Sequence, residues 1–246
     1  MDRMVYVAMT GAKQVMRRQA ILAHNLANLN TDGFRADLAH ASPVPVRGPG
    51  HPTRVNTVTR GDGFSLAVGT LMSTGRTLDV AVKGEGWLAV QAADGSEAYT
   101  RAGALSINSL GLLETADGQM VMGSNGPLAV PVHVQLAMGS DGTISIVPQG
   151  QGPATLASVD RIKLVNPDHR LLQKGADGLV RMKDGGTAEA DAAVEVVSGY
   201  LETSNVNMAA SLVSMIENAR QFEMQIKMMQ TADENATRAV ELARLS

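Results

Sequence analysis

Five histidines, a Gly84-Glu85-Gly86-Trp87 turn and scattered aspartates are the residues of this 246-residue chain best suited to chemistry. His24, His40, His51, His133 and His169 share no ligand spacing, and none forms an H-x-x-x-H pair. There is no cysteine, which excludes thiolate metal sites, thiol nucleophiles and disulfides. The pattern predicts no metal site and no cofactor. Gly84-Glu85-Gly86 lacks the third glycine and following helix of a nucleotide loop, and reads as a turn between strands. Glu85 beside Trp87 could serve as a glycosidase acid with a raised pKa, with Asp79 or Asp94 as the second carboxylate. Adjacent strand positions point to opposite faces, however, and Asp79 and Asp94 already fit edge and turn roles. No Gly-x-Ser-x-Gly elbow is present. Asn235-Ala236-Thr237 matches a glycosylation sequon but falls inside a helical stretch. These residues predict a chain without enzymatic activity or a small-molecule substrate, with a glycan-cleaving enzyme as the remote alternative.

Composition narrows the partners. Hydrophobic residues make up 44% of the chain, enough for a core, but aromatics only 3%, so that core is aliphatic and rich in deformable methionine. A net charge of −3 without a basic patch argues against nucleic acid. No apolar run approaches the length that spans a bilayer, so no membrane insertion is expected. The opening residues lack the apolar core and cleavage site of a secretory signal. On these facts alone the chain reads as cytoplasmic, and a soluble cytoplasmic scaffold is a rival class.

The strongest periodicity lies at the two ends. Residues 201–246 contain no Gly or Pro. Read in sevens, one seam falls on Leu212, Ala219, Ile226, Asp233 and Val240, the other on Met215, Phe222, Met229, Ala236 and Ala243. Only Asp233 is polar, and Ile216 widens the stripe. Ser204 or Asn205 fits the N-cap. Residues 2 to about 31 mirror this, with Met1, Ala8, Val15, Leu22 and Leu29 on one seam and Val5, Ala12, Gln19 and Leu26 on the other. Gly11 interrupts that helix, and Gly33 is placed for a left-handed C′ position. Two long apolar-seamed helices can pair and still leave apolar surface for further helices.

Between them the periodicity changes twice. Pro43, Pro45, Pro49 and Pro52 and the surrounding glycines exclude helix from most of 36–77, which reads as an extended arm with short strands at Thr53–Thr59 and Ser65–Val68. From Leu78 the apolar period is two, and Asp-Gly pairs at 94–95, 117–118, 141–142, 177–178 and 184–185 punctuate strand-like runs. The predicted fold is mixed α and β: long N- and C-terminal coiled-coil helices flanking an inserted antiparallel β domain, a distorted barrel or sandwich. The predicted segments are a helix at 1–35, the arm at 36–77, the β domain at 78–198 and the second helix at 199–246.

Specific residue strings give this architecture a precedent. Leu22-Ala23-His24-Asn25-Leu26-Ala27-Asn28-Leu29-Asn30-Thr31-Asp32-Gly33-Phe34-Arg35 resembles the A-N-N-L-A-N-x-x-T-x-G-F-[KR] signature of the flagellar rod and hook protein family, departing at His24. Gly199-Tyr200-Leu201-Glu202-Thr203-Ser204-Asn205-Val206-Asn207 is similar to the family's G-x-L-E-x-S-N-V-[ND]. Met215-Ile216-Glu217 and Arg220-Gln221-Phe222-Glu223 resemble its M-I-x…R-x-[YF]-E run. In the middle, Thr74 to Trp87 and Tyr99-Thr100-Arg101-Ala102-Gly103 resemble T-G-x-x-L-D-x-A-[IV]-x-G-x-G-[FW] and Y-T-R-x-G. The resemblance covers nearly the whole chain and is greatest to the proximal-rod members, then the distal-rod members, then the longer hook protein.

The resemblance implies a structural subunit, exported by the flagellar type III apparatus without a cleaved signal peptide and assembled in the periplasmic rod. It implies as partners copies of the chain, other proximal- and distal-rod proteins and the export apparatus. The assembly interface would be Val5, Ala8, Ala12, Val15, Leu22, Leu26, Leu29, Leu212, Met215, Ala219, Phe222, Ile226, Met229 and Val240. The family-motif positions are Asn25, Leu26, Ala27, Asn28, Thr31, Gly33, Phe34, Gly199, Leu201, Glu202, Ser204, Asn205 and Val206. The enzymatic alternative, in this setting, is a peptidoglycan-cleaving one.

Overall fold

A computed structural model describes residues 4–45, 55–150 and 156–244. Met1, His51, Pro49, Pro52 and the start of the Thr53–Thr59 run lie outside the described residues, as does the side chain of Ala243. Long N- and C-terminal helices flank a central antiparallel β region. The chain divides into two compact units, one of residues 1–27, 37–63 and 207–246, the other of 28–36 and 64–206.

In the first unit, α1 spans Met4–Ala27 and α2 spans Met208–Arg244. The apolar pattern of α1 runs on to Leu29, but the helix stops earlier. The side chain of Asn25 bonds both backbone groups of Asp37, and the Asn28 carbonyl accepts the Thr31 N–H at 3.3 Å. Leu29 therefore sits in a turn rather than on the seam. The cap of α2 is Asn207, not Ser204 or Asn205. Its Oδ1 accepts the Ala210 N–H at 3.0 Å, and its carbonyl accepts the Ser211 N–H at 3.0 Å. The arm is more regular than its prolines suggest: Asp37–Pro45 and Val55–Phe64 are strands of a two-stranded sheet. The sheet is joined to α1 through Gln14, whose Oε1 accepts the Thr59 N–H at 2.7 Å.

In the second unit the central strand is Trp87–Gln91. Its run is apolar without alternation because both faces are covered. Leu88 and Val90 join a cluster with Val80, Leu105, Leu113, Val121, Ile144, Ile162 and Leu164. Trp87 and Ala89 join a second with Tyr99, Val165, Leu172 and Val180. The main sheet runs antiparallel through Leu172–Lys174, Val180–Met182, Glu97–Thr100, Trp87–Gln91, Met120–Gly123, Leu113–Thr115 and Leu105–Ile107. His133–Met138, Thr143–Pro148 and Ala157–Arg161 form a smaller sheet. Among the described residues no sheet closes into a barrel.

The five Asp-Gly pairs make turns of one kind. Each glycine has positive φ, as at Gly95 (82°) and Gly142 (84°), and donates its N–H to the carbonyl three residues back. At 94–95, 117–118, 141–142 and 177–178 the glycine ends a three-residue hairpin loop rather than sitting in a two-residue one, closed for example by the Ala92 N–H donating to the Ser96 carbonyl at 2.9 Å. Asp94 and Asp141 help by accepting the N–H two residues on, of Ser96 at 2.9 Å and of Thr143 at 3.1 Å.

Candidate assembly surface and motif cluster

The motif positions from Gly33 on converge inside the second unit, whereas Asn25, Leu26 and Ala27 belong to the last turn of α1 in the first. Strand Glu195–Ser198 pairs with Val80–Lys83, and Tyr200–Glu202 pairs with Leu71–Ser73. Gly199 (φ 81°) turns the chain between them and donates its N–H to the Asp79 carbonyl at 2.7 Å. This zipper places Glu202 in the interior at 2% exposure. Its carboxylate takes Arg35 Nη2 at 2.9 Å, Arg101 Nη1 at 2.9 Å and the Gly69 N–H at 2.7 Å. Arg101 also donates to the carbonyls of Val82 (3.2 Å) and Gly84 (2.6 Å), and Arg35 to that of Ala67. Among the described residues the Nε atoms of both arginines lack a hydrogen-bond acceptor, but both guanidiniums lie over the Trp87 ring, at 5.8 and 5.5 Å from its centroid. Burial lowers the pKa of Arg35 to about 10, so it stays charged at neutral pH. Burial lowers that of Arg101 too, and Glu202 offsets part of each shift.

The neighbouring motif residues extend the cluster. Gly33, at φ 66°, donates to the Glu202 carbonyl at 2.6 Å, and a Cβ there would collide with the Arg101 backbone. Gly33 thus does take the left-handed conformation, but well beyond the end of α1. Asn205 Oδ1 accepts the Ala36 N–H at 2.8 Å, and its Nδ2 donates to the Ala67 carbonyl at 2.7 Å. The ammonium of Lys174 sits 3.9 Å above the Phe34 ring and donates to the Arg35 carbonyl at 2.8 Å. The role of Arg35 and Arg101 was not read from the sequence. The available signal was that both arginines stand inside the strings that carry the family resemblance, Gly33-Phe34-Arg35 and Tyr99-Thr100-Arg101.

The carboxylates weighed for hydrolysis do not come together. Glu85 is exposed beside a cleft of about 420 Å³ lined also by Trp87, Asn166, Asp168 and His169. Asp79 is buried near Arg76, and Asp94 accepts hydrogen bonds from both the N–H and the hydroxyl of Ser96, which lower its pKa. Trp87 is itself buried.

In the first unit, Ala8, Ala12 and Val15 are buried, and Val5, Leu22 and Leu26 are half-buried. On α2 one inward seam is one residue earlier than the pattern gives, and the other stays at Met215, Phe222 and Met229. Ser211, Asn218 and Ala232 are buried, with Met215, Phe222 and Met229 half-buried beside them. Opposite Gly11 of α1 the helices are close enough that an added Cβ would stand 2.9 Å from the Gln225 side chain, so at that level a polar residue faces inward. Larger apolar groups are left outside: Leu212 is 41% exposed, Ile216 57% and Val240 56%. Ala219 and Asp233 are also exposed, and Ile226 is half-buried. Tyr6, Met9 and Met16 on α1 and Val213, Met224 and Met228 on α2 are exposed as well. Apart from the α2 stripe widened by Ile216, sequence reading did not single these out.

Three family models match in order along the chain: flagella basal body rod protein at 5–35, flagellar hook protein FlgE/F/G D1 domain at 81–146, and flagellar basal body rod FlgEFG protein C-terminal at 197–242. The chain is 43% identical to the flagellar basal-body rod protein FlgF of Escherichia coli K12, over the full length of both. The chain belongs to the flagellar basal-body rod protein family. The FlgF of Salmonella typhimurium is 42% identical over the same extent. The basal-body rod protein FlgG of Bacillus subtilis is 31% identical over 99% of this chain and all of its own length. The higher identity places the chain with the FlgF members of the family. As a member it is a structural subunit of the flagellar basal-body rod rather than an enzyme. Its matched termini hold most of α1 and α2 and, from the motif cluster, Gly33, Arg35, Glu202 and Asn205.

Proposed function

We propose that the chain polymerises in the proximal rod through its two terminal helices, paired as a coiled coil within each subunit and packed laterally against like helices of neighbouring subunits. The observation that carries this is the division of labour on α2. Its inward seam is small and polar, at Ser211, Asn218 and Ala232, while Leu212, Val213, Ile216, Met224 and Met228 face outward. Burying a Leu- or Ile-sized side chain returns about 1.5–3 kcal/mol. Such a stripe is therefore stabilising when covered and a liability when bare. Tyr6, Met9 and Met16 give α1 a matching outward stripe. Val5, Ala8, Ala12, Val15, Leu22 and Leu26 then act mainly within the subunit, and Leu212, Ile226 and Val240 between subunits. Neighbours would be copies of the chain and other proximal- and distal-rod proteins, reached after export by the flagellar type III apparatus to the periplasm. Contacts would be head-to-tail and open-ended, so that growth does not close into a ring. The β region would add outer contacts in the manner of a sandwich-like module.

The test is Ile216→Asp in the full chain, followed by immunoblotting of isolated basal bodies. The variant is expected to be exported and to keep its circular dichroism spectrum, but to be missing from the rod. Normal incorporation would remove the outward face of α2 from the interface.

A further inference from the structure

We propose that Glu202 and its surroundings form a coincidence latch, in which segments 33–36 and 199–205 are each held in the second unit only when the other is in place. This goes beyond the role of rod subunit, which stands with or without it.

One buried residue gathers three distant stretches of chain. Glu202 binds Arg35, Gly69 and Arg101 through its carboxylate and Gly33 through its carbonyl. Asn205 repeats the arrangement a few residues on. It holds Ala36 and Ala67 through its side chain, and its N–H donates to the Phe34 carbonyl at 3.3 Å. Thr203 adds a bond from its N–H to the Thr70 carbonyl at 2.9 Å.

The forces in this cluster are polar. Two guanidiniums share one carboxylate, all three groups being no more than 3% exposed. If segment 199–205 leaves, the guanidiniums of Arg35 and Arg101 lose the carboxylate they share and lie against one ring, with only the charge of Glu85 acting on Arg101. If segment 33–36 leaves, Glu202 loses one of its two cations and Asn205 loses two backbone partners. A half-satisfied buried polar network is less favourable than either a complete or a dissolved one, so opening is cooperative. The same segments lead out of α1, which ends at Ala27, and into α2, which starts at Met208. The latch therefore closes only when the chain is present through residue 205.

The test is hydrogen exchange by mass spectrometry on full-length Glu202→Gln and, separately, Gly33→Ala. Expected is a rise of at least tenfold in the exchange of 33–36 in Glu202→Gln, and of 69–75 and 199–205 in Gly33→Ala. The strands Trp87–Gln91 and Leu113–Thr115 should keep their rates in both. Acceleration confined to the mutated segment would overturn the proposal. If either variant unfolds the central strands, Asn205→Ala decides, since it removes no charge. Coupled acceleration at 33–36 and 199–205 then supports the latch, and a purely local change overturns it.

Discussion

Asn25 is bridged to the backbone of Asp37 by two hydrogen bonds, its Nδ2 donating to the carbonyl at 2.9 Å and its Oδ1 accepting the N–H at 2.8 Å. The amide side chain copies the pairing that a neighbouring strand would supply. Asn25 is also among the buried polar residues, so water cannot replace it freely. Asn25→Ala should destabilise the helical unit by about 1–3 kcal/mol, the cost of leaving such groups without partners. Asn25→Asp should do the same at neutral pH, because a carboxylate cannot donate to the Asp37 carbonyl. The midpoint of urea unfolding followed at 222 nm reads both. A midpoint unchanged in both would mean that this bridge is not what ends α1.

The cap of α2 gives a smaller and more local effect. Asn207→Ala removes the acceptor for the Ala210 N–H and should cost about 1 kcal/mol, whereas Asn207→Gly should cost only a few tenths. Exchange of the amides at 208–211 should rise in the alanine variant. Ser204→Ala should leave those amides unaffected, since the Ser204 hydroxyl accepts only the Val206 N–H at 3.3 Å. A larger effect at Ser204 than at Asn207 would reverse the assignment.

These two residues also mark where sequence alone succeeds and fails. The Asp-Gly turns were legible because their chemistry is local: Asp141 reaches the N–H of Thr143, and Gly142 accepts positive φ wherever the fold goes. The presence of strand Trp87–Gln91 was legible from its unbroken apolar run. The role of Glu202 was not. Its cationic partners are Arg35 and Arg101, far away in sequence, and nothing in Leu201-Glu202-Thr203 distinguishes a buried carboxylate from a solvated one. The inward face of α2 was also hidden. Its sequence offers adjacent seams, and the choice between them depends on packing against α1, as at Gly11, which admits Gln225. Asn207 lost to Ser204 and Asn205 because all three have capping side chains, and tertiary partners claimed Asn205.

That close approach at Gly11 can be tested by size. The atoms nearest a Cβ at this position are the terminal amide atoms of Gln225, which can move aside. Gly11→Ala should therefore be tolerated, with a helix-propensity gain of about 1 kcal/mol offsetting the shift of Gln225. Gly11→Leu cannot be accommodated in the same way and should separate the helices, lowering the thermal midpoint. An alanine variant as damaged as the leucine one would show that the Gln225 amide is fixed rather than mobile.

Asp32 supplies a pH-dependent term of defined sign. Burial raises its pKa, and the nearby charge of Asp79 raises it further. A carboxyl held more tightly protonated in the folded state than in the unfolded chain stabilises the fold fully below its unfolded pKa of about 3.9, and loses that contribution as pH rises through the folded value. At neutral pH the ionised Asp32 therefore opposes folding. Asp32→Asn should be more stable than the parent chain at pH 7, by less than about 1 kcal/mol because the group keeps much of its solvent. The difference should shrink as pH falls through the raised folded value toward about 4. Comparing the two chains at each pH cancels the carboxylates whose pKa is lowered, such as Asp141 and Asp177, which weaken both alike in acid. Thermal midpoints from pH 4 to pH 8 read the gap, and a gap that widens toward acid would show that Asp32 is stabilised as the anion.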